Sequence, residues 1–328
     1  MNAKTVETLF GLIDESTESI KNALDISYLE ALIETGDDLF ESQVLQDELD
    51  DQLKTKLMNN IAAFQENEYE KESIRRAFQL AILKGMKEGI QPNHEMTPDG
   101  IGFIMSYLVS KFTKGKNELK ILDPAVGTGN LLHSVLIQTG DQFSAAYGVD
   151  VDDILVRLAY VVGNLLGHEI ELFNQDALGP LLIDPVDLVV CDLPVGYFPN
   201  EERAKNYKLK AKEGMSYSHH LFIEQSMNYL KNGGYFIGLI PNHLFTSEQT
   251  AQLHEYIKET CMIQGLIQLP ASSFKDERHQ KSILILRKNA EDNKKLKQAL
   301  LVDFPKLTNT QAVEEMMYRI NKWFEENL

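Results

Sequence analysis

The residues with the most definable chemistry lie in one stretch, Ile121-Leu122-Asp123-Pro124-Ala125-Val126-Gly127-Thr128-Gly129-Asn130-Leu131-Leu132. Ile121 and Leu122 read as the end of a buried strand, and Asn130 onward as the first turn of a helix. Gly127 and Gly129 have no Cβ, so the chain can turn tightly between them and a ligand can approach the backbone. A strand, a Gly-x-Gly turn and a helix in this order form a nucleotide-binding unit at the carboxyl edge of a doubly wound sheet. A dinucleotide fingerprint needs a third small residue three positions further on, and Leu132 stands there. A carboxylate at Asp123 would repel a pyrophosphate but suits a cationic ligand. S-adenosylmethionine, with a sulfonium and an ammonium and no phosphate, meets that requirement.

Further acids close the next predicted strands. Ala145 to Val149 lead into Asp150, placed to accept from ribose hydroxyls, with Val151 beside it. Ile170 to Phe173 lead into Asn174-Gln175-Asp176-Ala177, where Asp176 can accept from an adenine amino group. The fourth strand, Val186 to Cys191, runs into Asp192-Leu193-Pro194-Val195-Gly196-Tyr197.

In this order of motifs the chain resembles the N6-adenine-specific DNA methyltransferases, and among them the modification subunit of type I restriction systems, here as a short stand-alone form. Met96-Thr97-Pro98 resembles the family's Thr-Pro cofactor motif, and residues 123 to 132 its adenosylmethionine loop. Asp192 to Gly196 stand where the family has Asn/Asp-Pro-Pro-Tyr/Phe-Gly. Leu230-Lys231-Asn232-Gly233-Gly234 before the strand Tyr235 to Pro241, and Ser273-Phe274 before the strand Ser282 to Leu286, are also similar. The likeness spans residues 91 to 288.

The resemblance implies a seven-stranded, mostly parallel Rossmann-like sheet with its last strand, around Ser282 to Leu286, inserted antiparallel. It implies S-adenosylmethionine held by Thr97, Pro98 and the loop residues Asp123, Pro124, Ala125, Gly127, Thr128, Gly129 and Asn130. Asp150, Val151, Asp176, Ala177 and Asp192 complete that expected set. Asp192 is expected to accept from a substrate amine, with Pro194 shaping the loop. An exocyclic amine is a poor nucleophile because its lone pair is delocalised, and oxygen acceptors on its N–H bonds favour the pyramidal, nucleophilic form. The family's aromatic residue stacks on an extruded base. Two positions depart from the motif. Leu193 replaces a proline and so releases its φ restraint, and Val195 replaces the aromatic, leaving Tyr197, two residues later, as the candidate ring. Methyl transfer to RNA or to a protein amide, and cofactor binding without catalysis, stay open beside transfer to N6 of adenine in DNA.

The elements that position these residues divide the 328-residue chain into a helical block at 1–90, the methyltransferase region at 91–288 and a tail at 289–328 that reads as helix. Residues 1–70 hold 17 acids and 4 bases, a net −13 of the total −17, so the region with the motifs is close to neutral. Net acidity is unusual in a free-standing DNA binder, because phosphate neutralisation needs lysine and arginine. Leu45, Leu49, Leu53, Leu57 and Ile61 recur every four residues and predict one apolar stripe on a helix. A second helix is predicted within Glu70 to Met86, before a break at Gly89-Ile90-Gln91-Pro92. The block is read as packing on the main domain or as a dimer or partner surface. Arg203, Lys205, Lys208, Lys210 and Lys212, interleaved with Tyr207 and Tyr217, form a basic run that suits a nucleic-acid backbone or plain solvent. His219 and His220 read as surface or capping residues.

The tail is too short for a base-reading module, so the chain is expected either to borrow specificity from a separate subunit, as in the resembled family, or to be a short stand-alone relative with another substrate. The two cysteines, Cys191 and Cys261, fall in or beside predicted buried strands, in no metal or disulfide pattern. No apolar run approaches a membrane span and no signal peptide is legible, which predicts a cytoplasmic protein.

Overall fold

The structure is a computed structural model and describes residues 3–88, 96–276, 279–291 and 297–327. Four helices come first: α1 (Ala3–Leu24), α2 (Tyr28–Glu41), α3 (Asp51–Gln65) and α4 (Lys71–Glu88). After α5 (Asp99–Phe112) the chain alternates through β1 (Leu119–Asp123), α6 (Asn130–Thr139), β2 (Phe143–Asp150), α7 (Asp153–Leu166), β3 (Glu171–Asn174) and β4 (Val186–Asp192). A single turn, α8 (Glu201–Ala204), precedes α9 (Ser218–Tyr229), β5 (Leu230–Pro241), α10 (Thr250–Thr260) and β6 (Cys261–Gln268). The chain closes with β7 (Lys281–Lys288), β8 (Leu300–Asp303) and α11 (Thr310–Asn327).

The strands form one sheet in the order β3-β2-β1-β4-β5-β7-β6-β8. β7 is antiparallel to both neighbours, and every other pair is parallel. The fold class is as expected, with one difference. The sheet has eight strands because residues 300–303 of the tail pair with β6 instead of continuing as helix. Leu300 faces the core beside Gly265, whose missing Cβ leaves room for it: a Cβ there would lie 3.1 Å from that of Leu300.

Continuous apolar runs make the central strands, because a parallel sheet is covered on both faces. In β4, Leu188 and Val190 point to the side of α5, α6 and α11, while Val189 and Cys191 point to the side of α9 and α10. Ile283 and Ile285 against Leu284 and Leu286 divide β7 in the same way, the period-two alternation of a strand. The strand order reverses between β1 and β4, which opens a crevice above their carboxyl ends.

The helical block shares a core with the sheet domain. Leu32, Phe78 and Ile82 pack with Leu158, Val161 and Val162 of α7. Gly36 lets α2 approach closely, since a Cβ there would fall 2.1 Å from Val161 Cγ1. The leucine stripe is not a single helix. Asp50 caps α3 by accepting from the Leu53 backbone N–H, so the helix starts at Asp51, after Leu45 and Leu49. Leu45 is exposed, and Leu49, Leu57 and Ile61 are buried. The expected break at 89–92 lies outside the described residues.

Candidate active site

The carboxyl ends of β1, β2 and β4 bring Asp123, Asp150 and Asp192 to one cleft of about 860 Å³. Asp123 is 1% exposed, and its Oδ1 accepts from the Ala125 backbone N–H at 3.1 Å. Burial pushes its pKa up to about 8, so the free chain holds a protonated acid there at neutral pH. The neighbouring Cys191 thiol is likewise raised by burial and stays protonated.

The loop over this acid is held by backbone bonds. The Gly127 N–H donates to Asp150 Oδ2 at 2.8 Å, and the Val126 N–H donates to the Val149 carbonyl at 2.9 Å. Gly127 and Gly129 both have positive φ, 50° and 76°. The space beside Gly127 is open, whereas a Cβ on Gly129 would lie 2.7 Å from His133 Nε2. The first glycine therefore leaves room at the ligand face, and the second leaves room for the His133 ring of α6 and for Ala159 of α7. Pro124, Ala125, Thr128, Asn130 and Val151 line the same cleft, as do Thr97 and Ala177. Pro98 stands at the N-cap of α5 and does not line it.

Asp150 Oδ1 also accepts from the Asp152 N–H at 3.1 Å, so both of its oxygens brace the loop. Asp176 lines the cleft as well and already has two partners. Its Oδ2 takes Arg203 Nη1 at 2.6 Å and its Oδ1 the Leu178 N–H at 2.9 Å. Arg203 thus leaves the basic run to make this ion pair. Tyr207 leaves it too, since its ring is buried and its hydroxyl donates to the Leu178 carbonyl. Lys205, Lys208, Lys210 and Lys212 remain exposed.

Asp192 is held from two sides. The Thr97 hydroxyl donates to its Oδ2 at 2.9 Å, and the Lys281 ammonium donates to its Oδ1. Lys281 had no sequence signal. It opens β7, and the antiparallel pairing Pro241↔Lys281 carries it to the carboxyl edge where β4 ends. The following loop is fixed although its first proline is missing. Leu193 is buried, with its N–H on the Leu239 carbonyl at 3.2 Å, and the Phe198 N–H donates to the Ser216 carbonyl at 2.8 Å.

Pro194 and Val195 line the cleft, Val195 half-exposed. Tyr197 lines it as well, 54% exposed, with one face stacked on Tyr217 at 4.9 Å and 13°. Tyr217 in turn stacks on His219 at 4.9 Å. His219 and His220 are fully buried at the start of α9 and not on the surface, because these stacked rings and the α9 face cover them. Among the described residues, no cluster of three or more acidic, histidine or cysteine side chains could hold a metal, and no helix is long and apolar enough to cross a membrane.

A switch-point cleft lined by acids, a glycine loop at the first strand and an antiparallel β7 beside β5 define an S-adenosylmethionine-dependent methyltransferase. The chain belongs to the N-6 DNA methylase family, which matches residues 95–326, and residues 7–86 match the YtxK N-terminal helical domain. The uncharacterized protein YtxK of Bacillus subtilis strain 168 is 49% identical over 326 residues, 99% of each chain. The crystal structure of a candidate class I S-adenosylmethionine-dependent methyltransferase from Listeria monocytogenes is 44% identical, with a TM-score of 0.90 over 98% of this chain and 100% of that one. A type I restriction-modification methyltransferase subunit from Streptococcus thermophilus shares the fold, with a TM-score of 0.66 at 16% identity over 93% of this chain and 73% of that one.

Proposed function

We propose that the chain binds S-adenosylmethionine in the cleft above β1, β2 and β4 and transfers its methyl group to an exocyclic amine, N6 of adenine in DNA. The carrying observation is that an amine acceptor and a free aromatic face share one cleft: Asp192 ends β4, and Tyr197 presents the ring face that Tyr217 does not cover. The charge of the cleft fits the cofactor. Its lining carries Asp150, Asp176 and Asp192 and the protonated Asp123, which ionises as a cation binds, against one cation among the described residues, Lys281, a balance that suits a sulfonium and an ammonium and opposes a pyrophosphate.

The cofactor supplies an electrophilic methyl group on a cationic sulfur. The chain's task is to present a nitrogen lone pair to it. A carboxylate offers about four acceptor positions, and Thr97 and Lys281 occupy one on each oxygen of Asp192. The remaining positions accept an amine N–H, and the Leu193 carbonyl serves as the second acceptor. Tyr197 takes the role that the motif gives to the residue at 195, stacking on an extruded base, an interaction worth about 1–3 kcal/mol. The exposed lysines at 205, 208, 210 and 212 suit the phosphates beside it. Target choice is left to a separate specificity subunit, as the likeness to type I modification subunits implies.

Two observations favour a second reading, a cofactor-binding protein without transfer. Val195 stands half-exposed at the family's aromatic position, and Lys281 sits on the acceptor oxygen. The test is methyl-labelled S-adenosylmethionine with unmethylated bacterial DNA, total RNA or lysate protein, beside Asp192→Ala. Label recovered as N6-methyladenine in DNA, and lost in the variant, supports the first reading. Label in RNA or protein keeps the transfer and changes the acceptor. Bound cofactor with no label anywhere supports the second.

A further inference from the structure

Arg75 belongs to α4, in the helical block, yet it is 3% exposed and reaches the glycine loop. Its Nη1 donates to Asn130 Oδ1. Its Nη2 donates to Asp99 Oδ1 at 3.0 Å and to Glu72 Oε1 at 2.7 Å, and its Nε to Glu72 Oε2 at 2.8 Å. A guanidinium only donates, so it fixes which end of the Asn130 amide is oxygen. The amide nitrogen is thereby turned to the Thr97 carbonyl, to which it donates at 3.1 Å. The Thr97 hydroxyl then donates to Asp192 Oδ2. An unbroken line of contacts runs from the helical block through the first residue of α6 to the end of β4.

We propose that Arg75 is a positioning residue for the cofactor site: acting through Asn130 and Thr97 it orients Asp192, which makes the helical block a working part of the methyltransferase centre. The inference rests on the cofactor reading given above. A surface ion pair would not need a buried, forked donor. Lysine in its place offers a point charge that cannot span Glu72, Asp99 and Asn130 together.

Arg76 provides the control. Its Nε lies 2.8 Å from Glu72 Oε1 and 3.6 Å from Asp99 Oδ2, so it ties the same two carboxylates on the exposed side. Among the described residues it makes no hydrogen bond to Asn130. The experiment is calorimetric titration of S-adenosylmethionine into full-length wild type, Arg75→Lys, Arg75→Met and Arg76→Met, with melting temperatures of each. Both Arg75 variants are expected to bind about tenfold or more weakly, the loss of one charge-assisted hydrogen bond. Arg76→Met is expected to stay within about twofold, as exposed pairs contribute little. Where Arg75→Met fails to fold, Arg75→Lys, which keeps a cation between the carboxylates, carries the test. Wild-type affinity in Arg75→Lys, or equal weakening in Arg76→Met at a similar melting temperature, would overturn the proposal. Wild type that binds no cofactor overturns the cofactor reading itself, a result visible before any variant is compared.

Discussion

Cofactor affinity is expected to rise steeply with pH, and Asp123 sets the scale. In the free chain this carboxyl is buried and its pKa stands at about 8. At pH 7 about nine-tenths of it is therefore protonated. A cationic ligand prefers the ionised form, so binding at neutral pH releases close to one proton. The ionised fraction grows from about 1% at pH 6 to about a quarter at pH 7.5, which corresponds to an affinity gain of about 25-fold before the ligand's own α-ammonium begins to lose its proton. The assay is calorimetric titration of S-adenosylmethionine across that range, with two buffers of different ionisation enthalpy at pH 7 to count the proton. Asp123→Asn should lose the slope and bind weakly at every pH, and Asp123→Ala should abolish binding. A wild-type profile flat between pH 6 and 7.5, or the same slope in Asp123→Asn, would refute the assignment of this acid to the cofactor.

Two further outcomes follow from the same geometry. Gly129→Ala places a Cβ at φ 76° and 2.7 Å from His133 Nε2; the left-handed backbone alone costs about 1–2 kcal/mol, so both the urea midpoint and cofactor affinity should fall, and an unchanged midpoint contradicts the packing described. Burial lowers the pKa of His133 and His219 to about 3 and of His168 and His220 to about 4. At these four sites the folded state binds fewer protons than the unfolded one, so the stability they give above pH 6.5 is lost as pH falls toward those values, by about 1.4 kcal/mol per histidine at pH 5.5, while Asp123, raised to about 8, gains stability over the same range and offsets part of the loss. Urea melts of the Asp123→Asn variant at pH 7.5 and 5.5 measure the histidine part, and equal midpoints there would exclude it.

Much of the fold was legible in the chain because its signals are local. Apolar runs of strand length, the first four with an acid at or just past the end, and a Gly-x-Gly turn between strand and helix specify a doubly wound sheet without reference to distant residues. The antiparallel β7 was legible as well, through the likeness of Ser273-Phe274 and the strand after it to a known order of motifs. β8 was not, since Leu-Leu-Val-Asp is as short as many helix segments and becomes a strand only because β6 offers an edge. The leucine stripe misled for a related reason: a four-residue period continues past a helix start, and the Asp50 cap, not the period, decides where α3 begins.

The sequence by itself determined the acids, the glycines and their order, because close backbone approach and cation binding depend on residue type at fixed spacing. Tertiary structure decided which partners those acids meet. Asp176 pairs with Arg203, 27 residues away, and Asp192 with Lys281, 89 residues away. It also decided that Tyr197, not the residue at 195, offers an open ring, through its stack on Tyr217. Arg75 reaches Asn130 across 55 residues only because α4 docks on α6. Partners so far apart in the chain leave no spacing to read, and a buried charge finds its counterpart only when the packed elements bring the two within hydrogen-bond distance.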